Sequence, residues 1–504
     1  MGTPDESSHP LATGRIGAAA VTFFALAATA PLAVLITVVP AAYARGGGPL
    51  VPLTFVAVAI VLLVFAAGYA AMAHRAPYAG ALYAYVARGL GRPAGVAAAG
   101  VALAAYTALQ LGLYGVAGVA AAPLVRSWFH VEAQWWMVAA ACWLIVALAG
   151  TVRIEIVSGL LALLVLAEIA VAVGFATASL IEPVGPRLPD HLPAVDRPAL
   201  GLLLAAGALA FAGFETTGTY AEETMRPRKE AGHATYASVV ILGLVLAGTA
   251  WSVSVGAGPA QITALARTRG SELLFDLAGA RLAPWAVTTG RAVLLAALVA
   301  AMLALHNAIA RYLYALGRER VLPAALATTA RRTSAPRTAS LVQSLIAGLA
   351  IAVAYLAGVR SPGILAQRLT VAGGLGVLVL LLATSLAALL HLNRVPGGEG
   401  AWGRFLAPIL ATVALGALAC LAFRNLPSLL GVPSESALVW LTPAGIAAVA
   451  GAGLLHGVVL RGARPVLYAG IGQGGTAVVV TPAPTPQLPR PRDPGAHRPE
   501  RVNR

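Results

Sequence analysis

Long apolar runs follow one another along almost the whole chain and are separated by short polar segments. A run of about 20 apolar residues matches the hydrocarbon thickness of a bilayer. The pattern therefore predicts an all-α integral membrane protein with about twelve transmembrane helices and a short interfacial helix around 271–280. The predicted spans are 16–43, 50–73, 94–122, 134–150, 154–180, 200–220, 234–256, 285–316, 338–358, 363–391, 405–423 and 437–460.

Two of these spans are interrupted near their middles. The first contains Ala28-Thr29-Ala30-Pro31, where the proline cannot donate a backbone hydrogen bond and disfavours helical geometry in the residue before it. The sixth contains Phe211-Ala212-Gly213-Phe214-Glu215, with a flexible glycine close to an acid. Either break alone is also compatible with a packing kink. Two breaks in corresponding positions of two five-span halves indicate an inverted-repeat transporter.

This interpretation places the substrate between spans 1 and 6, flanked by spans 3 and 8. Half-helix N-terminal ends can face a carboxylate there, and freed carbonyls can hold an ammonium group. Spans 1–5 (about 16–180) and 6–10 (about 200–391) form the repeats, and spans 11–12 (about 405–460) follow. The candidate substrate-binding residues are Ala28, Thr29, Ala30, Pro31, Phe211, Ala212, Gly213, Phe214, Tyr106, Gln110 and Asn307.

Composition supports a membrane protein, since 59% of the 504 residues are hydrophobic and only 11% are charged. Soluble proteins carry about 25% charged residues. The net charge of +15 does not indicate nucleic-acid binding, because the basic residues lie in short loops. Their excess on one side predicts that both termini are cytoplasmic in the inner (plasma) membrane. We interpret Cys142 and Cys420, which lie in apolar runs, as small buried hydrophobes.

Two polar segments flank the predicted transporter domain, 15–461. We expect 1–14 to be a cytoplasmic N-terminal tail without a cleaved signal peptide. The segment 462–504 is rich in Pro, Gly and Arg, and it is expected to be a disordered cytoplasmic tail because it cannot bury enough apolar surface.

Acids inside spans are rare, and Glu168 and Glu215 stand out. Glu168, in the middle of the fifth span, is either a proton-carrying carboxylate or a structural hydrogen-bond partner. Glu215, next to the sixth-span break, either binds an ammonium group or stabilises the unwound segment. The sequence leaves both alternatives open.

Other polar side chains lie on the third and eighth spans. Tyr106, Gln110 and Tyr114 are spaced by four and share one helical face, which either lines the pathway or forms a seam between helices. His306 and Asn307 point in different directions, so one can face the site while the other makes a helix contact. Arg291 and Arg311 are expected near the two ends of the eighth span, where long side chains snorkel. This expectation rests only on their positions within the predicted span 285–316.

At these residues the chain resembles the amino acid–polyamine–organocation (APC) superfamily permeases, which have a LeuT-like fold. The resemblance runs from about Gly14 to Arg461. It is carried by the opening helix with Ala28-Thr29-Ala30-Pro31-Leu32, by Phe211–Glu215 with the Glu222-Glu223 and Arg226-Pro227 that follow, and most specifically by the stretch from Asn307 to Pro323.

The chain departs from that family at several positions. Many members have a glycine-rich break in the first helix, where Ala-Thr-Ala-Pro stands here, so a differently shaped carboxylate pocket is implied. The loop after the sixth span has Met225-Arg226-Pro227 in place of the usual Asn-Pro. Some proton-coupled relatives carry a lysine on the fifth helix, at the position where this chain has Glu168.

These observations predict a secondary active transporter that moves amino acids by alternating access, through proton-coupled symport or exchange. The alternatives are a carrier of polyamines or other small organic solutes, and a non-transporting membrane sensor. The expected partners are a small-molecule substrate, the lipid bilayer and protons. The chain has no phosphate-binding Gly-Lys-Ser/Thr loop and no metal-ligand spacing, so we expect no enzyme activity, cofactor or metal.

Overall fold

A computed structural model describes residues 11–181, 183–184 and 197–474. The described part is helical, with one isolated backbone bridge between Ile16 and Thr224 and no strand. The first part of the described chain comprises α1 Ala18–Thr29, α2 Pro31–Ala44, α3 Leu50–Arg75, α4 Ala81–Leu90, α5 Arg92–Ala120, α6 Ala122–Phe129, α7 Trp135–Ala149 and α8 Ile154–Ile181.

The rest of the described chain begins at the sixth predicted span. A 3₁₀ segment, Phe214–Glu223, follows the first of its helices. The α-helices are α9 Arg197–Ala210, α10 Glu230–Ala257, α11 Ile262–Arg269, α12 Leu273–Gly279, α13 Pro284–Arg318, α14 Arg337–Leu356, α15 Pro362–Arg394, α16 Ala407–Arg424, α17 Leu426–Leu430, α18 Ala437–Ala463 and α19 Pro465–Gly470.

The prediction of about twelve spans is confirmed. Among the described residues, 11 helical segments are long and apolar enough to cross a membrane, and the broken pairs Ala18–Ala44 and Ala199–Glu223 each count as one. The fourth predicted span corresponds to α7, an apolar helix of 15 residues. The interfacial helix expected around 271–280 corresponds to α12.

Both predicted interruptions are present and have defined causes. Ala30 takes a left-handed conformation, with φ 52° and ψ 64°, between α1 and α2. Pro31 is the first residue of α2, where its missing N–H costs no hydrogen bond. Gly213 has φ 120° between α9 and the 3₁₀ segment, a conformation that residues with a Cβ rarely adopt. The sixth span therefore continues past its break as a 3₁₀ helix.

The broken helices lie inside the bundle. Helix α1 contacts α8, α10, α13 and the 3₁₀ segment, and α5 packs against α13, α15 and α18. The outer helices leave large apolar side chains exposed, among them Leu163, Leu345 and Trp440. An exposed apolar belt of this kind suits contact with lipid hydrocarbon.

Helical structure continues past residue 462, where the disordered tail was expected to begin. Helix α18 ends at Ala463, α19 follows, and the description reaches Gly474. The reason is that α19 packs against α18, and the turn after α19 packs against α4 and the end of α13. The rest of that tail, 475–504, lies outside the described residues, as does most of the predicted N-terminal tail.

Candidate functional site

The two helix breaks touch each other at the centre of the bundle. A Cβ at Gly213 would lie 2.7 Å from the Ala28 carbonyl carbon and 2.8 Å from the Thr29 nitrogen. These distances are shorter than van der Waals contact, so only a glycine lets the two backbones approach this closely. The first and sixth spans therefore lie next to each other, as predicted, and their backbones are in direct contact at Gly213 and Ala28-Thr29.

Each break carries a buried carboxylate on a backbone amide. The Leu32 N–H, at the start of α2, donates to Glu168 Oε1 at 2.6 Å, and the Gly213 N–H donates to Glu215 Oε2 at 2.9 Å. Both acids are at most 1% exposed. A carboxylate at a helix N-terminus is stabilised by the helix dipole and by amides without helical partners. The structural partners that the sequence left open are therefore backbone amides of the breaks themselves.

Only one of the two carboxylate oxygens of Glu215 is hydrogen-bonded among the described residues. Its Oε1 atom has no hydrogen-bond partner among the described residues. The Tyr106 hydroxyl lies close to this carboxylate, although its geometry falls outside that of an ordinary hydrogen bond. The Tyr106 ring packs on the Tyr312 ring with 5.7 Å between centroids. The third predicted span thus brings Tyr106 to the sixth-span break.

A cavity of about 720 Å³ extends from the breaks to one end of the bundle. Its base contains Ala28, Thr29, Ala30 and Ala212. Its walls are mainly apolar side chains, including Leu109, Leu113, Val34, Leu294 and Leu305. Arg45 and Arg267 line the cavity at the end opposite its base. Both are exposed, so the cavity opens to solvent there. We call this opening the mouth.

Among the described residues, three arginines surround the mouth, and one of them pairs with a carboxylate. Arg291 pairs with Glu272 and lies over the Phe275 ring, 4.5 Å from its centroid. Arg45 and Arg267 donate to backbone carbonyls, Arg267 to the Ala44 oxygen at 2.7 Å. The mouth is therefore positively charged above an apolar cavity.

The remaining candidate residues lie behind the cavity wall. Pro31, Phe211, Gly213 and Phe214 are buried at the breaks and support the residues that line the base. Gln110 donates to the Met302 carbonyl at 3.1 Å and accepts from Gln343 at 2.6 Å. Gln110 thus joins α5 to α13 and α14, which matches the seam interpretation. The apolar neighbours Leu109 and Leu113 face the cavity instead.

The two polar residues of the eighth span also make helix contacts. His306 Nε2 lies 2.8 Å from Ser340 Oγ on α14. Asn307 donates to the Leu303 carbonyl and accepts from Arg311 Nη1 at 3.0 Å through Oδ1. Asn307 therefore contributes to an internal charge network and does not line the cavity.

The expectation that Arg311 snorkels to a span end is wrong. Its guanidinium is 2% exposed and forms a two-pronged ion pair with Glu223, with Nε to Oε2 at 2.5 Å and Nη2 to Oε1 at 3.0 Å. It also lies over the Tyr220 ring, 4.7 Å from the centroid. Sequence reasoning missed this pair because its partners are 88 positions apart. The only signal was an arginine inside one predicted span and an acid three positions after the end of another.

Two further ion pairs lie at the end of the bundle opposite the mouth. Arg318 binds Glu222 at 2.5 and 2.8 Å, and Glu222 Oε1 also accepts the Ala79 N–H. Arg75, at the end of α3, pairs with Glu399 in the loop after α15. Hydrogen bonds from the Arg75 guanidinium lower the pKa of Glu399 to about 2. Together with the Glu223–Arg311 pair, these contacts close this end, which we call the closed end.

Comparison with known proteins identifies the family of the chain. A family model described as amino acid permease matches residues 20–449, which include both breaks and the ion-paired closed end. No curated protein sequence matches the chain. Because the match extends over most of the chain and over all the elements of the site, the protein belongs to the amino acid permease family of the APC superfamily and is a membrane transporter.

Proposed function

We propose that this permease is a secondary active transporter that moves amino acids by alternating access. The observation that carries the proposal is the direct contact of the two helix breaks at the base of a cavity of about 720 Å³. Broken helices in a membrane protein concentrate free backbone groups and helix-dipole ends at one point, where a charged substrate can replace water.

The contacts at the two ends of the bundle support an alternating-access mechanism. The mouth is open, whereas the closed end contains the Glu223–Arg311, Glu222–Arg318 and Arg75–Glu399 pairs. Two of these pairs join the 3₁₀ segment to α13, and the third joins α3 to the loop after α15, so opening of this end requires that they separate. With both termini in the cytoplasm, as the loop charges predict, the mouth faces outward.

The charge and polarity of the cavity favour a substrate with a carboxylate and an apolar side chain. The arginines at the mouth raise the local concentration of anionic groups, and the effect falls as ionic strength rises. The walls below contain leucine, valine and alanine side chains, which favour an apolar side chain over a charged one.

The position of Glu168 supports coupling to protons. Its carboxylate occupies the Leu32 N–H, the amide that the start of α2 offers to a ligand carboxylate. Pro31 has no N–H, so few other amides are available at this helix end. Protonation of Glu168 weakens its hold on this amide and allows a substrate carboxylate to accept the bond. The proton and the substrate then bind together.

An amine without a carboxylate is a second candidate substrate. Both breaks have their amides occupied by the protein's own acids, and Glu215 Oε1 is unpartnered. If these acids stay in place, the breaks offer carbonyl oxygens and negative charge, which suit an ammonium group. Polyamines and other small organic cations are the corresponding class.

Uptake into proteoliposomes tests the proposal. The purified protein would be given labelled amino acids and, separately, labelled amines, with and without an inward proton gradient. Gradient-dependent accumulation of an amino acid supports symport, and uptake only against internal amino acid supports exchange. Accumulation of amines alone selects the second candidate. Folded, reconstituted protein that moves neither class refutes the proposal.

A further inference from the structure

A second cavity lies at the closed end, away from the substrate cavity. Its volume is about 590 Å³, and its walls include Tyr78, Arg88, Arg92, His391 and Tyr468. These residues come from the turn before α4, from the end of α4 through the start of α5, from the end of α15 and from the segment after α18. The cavity therefore forms where the C-terminal part of the described chain covers the α4–α5 turn.

The C-terminal segment is held in place by specific contacts. The Glu319 carboxylate accepts the N–H groups of Gly472 and Gly474 at 3.0–3.1 Å. Both glycines have positive φ, 75° and 76°. A Cβ at Gly474 would lie 2.5 Å from the Tyr78 ring, so the backbone packs directly on this side chain. The wall that the segment provides is thus part of the fold.

Two arginines give the cavity its charge. Arg88 Nε donates to the Gly472 carbonyl at 3.3 Å, and Arg92 Nη2 donates to the Ala469 carbonyl at 3.1 Å. Their guanidinium groups lie over the rings of Tyr78 and Tyr468, 5.5 and 5.3 Å from the centroids. The rings cover the guanidinium faces and restrict their rotation, while N–H donors at the edges remain available.

No carboxylate neutralises these arginines among the described residues. Neither forms an ion pair there. The acids nearest in the fold are committed elsewhere, since Glu319 binds the glycine amides and Glu399 binds Arg75. His391 adds a further nitrogen to the wall. Half-buried positive charge without a counter-ion favours an anionic ligand.

We propose that this cavity binds a phosphate-bearing anion. Guanidinium forks match the oxygens of a phosphate group, and the volume accommodates more than a single small ion. The cavity lies at the ends of α15 and α18, the depth at which phospholipid headgroups meet a membrane protein. Basic pockets in such positions bind anionic headgroups. The phosphate comes from a lipid of this leaflet or from a free phosphate compound in solution. When bound, it bridges the α4–α5 turn and the C-terminal segment.

Thermal unfolding of the purified, delipidated full-length protein tests the proposal. The probes are phosphatidylglycerol, neutral phosphatidylcholine and inorganic phosphate. A ligand that binds only the folded protein raises Tm. We expect phosphatidylglycerol to raise Tm by about 2 °C or more beyond phosphatidylcholine if a lipid is the source. A rise with inorganic phosphate alone indicates a free phosphate compound.

Variants assign the effect to the cavity. The double substitution Arg88→Gln/Arg92→Gln is expected to remove the specific rise, whereas Arg331→Gln/Arg332→Gln, at two exposed arginines in another loop, keeps it. The charge-preserving Arg88→Lys/Arg92→Lys is expected to weaken binding about tenfold because lysine lacks the fork. Equal responses to all three probes, or a rise that persists in Arg88→Gln/Arg92→Gln, overturn the proposal.

A salt titration of the wild-type protein covers the case in which the glutamine variant does not fold. Raising ionic strength from about 0.1 to 0.5 M weakens an arginine–phosphate contact at a half-exposed site. The specific rise in Tm is expected to shrink over this range, and a rise that is independent of salt overturns the proposal.

Discussion

Gly213 provides the sharpest test of the contact between the two breaks. In Gly213→Ala, the new Cβ would lie 2.7 Å from the Ala28 carbonyl carbon, about 0.7 Å inside the shortest ordinary contact of 3.4 Å. The φ of 120° adds strain of about 1–3 kcal/mol for a residue with a Cβ. The neighbour is backbone, which cannot rotate away as a side chain can. The substitution must therefore separate α1 from the sixth-span break.

The assay compares Gly213→Ala with Gly248→Ala. Gly248 lies inside α10 and has open space around its Cβ position, so alanine there removes backbone freedom without a clash. Helix propensity predicts that this control is stabilised by about 0.5–1 kcal/mol. Gly213→Ala is expected to lower Tm and to reduce uptake into proteoliposomes at least tenfold, and Gly213→Pro to abolish uptake while the protein still inserts. Wild-type uptake and Tm in Gly213→Ala would refute the reasoning.

Three further predictions concern the buried acids and the ion pairs. Arg311→Gln leaves Glu223 buried without its partner and should destabilise the protein by about 3–5 kcal/mol, whereas the double variant with Glu223→Gln should lose less, as denaturant unfolding can measure. Glu168→Gln keeps an acceptor for the α2 amide but cannot carry a proton, so uptake should no longer respond to a proton gradient while exchange persists; an unchanged gradient response contradicts this. The Glu399 pKa is lowered to about 2 in the folded protein, so its contribution to stability is present above its usual pKa of 4.5 and is lost as pH falls from about 5 to 2. The Tm difference between wild type and Glu399→Gln should shrink over that range, and a constant difference would exclude the ion pair as its source.

The polar residues of the third span show which side-chain contacts a sequence can predict and which it cannot. Tyr106 and Gln110 share a helical face, as their spacing predicts, but Tyr106 lies at Glu215 while Gln110 joins helices away from the cavity. Periodicity gives the direction of a side chain relative to its own helix only. The partner it meets depends on how neighbouring helices pack.

The charged residues make the same point. Arg311 was expected at a span end because an unpaired guanidinium in a bilayer is costly. That cost is offset here by Glu223, which the break in the sixth span brings to α13. Likewise, the C-terminal segment was expected to be disordered from its composition, yet Gly472 packs on α4, and the Gly472 and Gly474 N–H groups donate to Glu319 at the end of α13.

The sequence by itself determined the class, the number of spans and the two helix breaks, because bilayer thickness and the backbone chemistry of proline and glycine act locally along the chain. It also singled out Glu168 and Glu215, since an acid in an apolar run stands out without any structure. Only the tertiary structure decided that each acid binds a backbone amide of a break, that the Glu223–Arg311 pair closes one end, and that Arg88 and Arg92 share a cavity. These contacts join residues that are distant in sequence, and their geometry depends on the packing of the whole bundle.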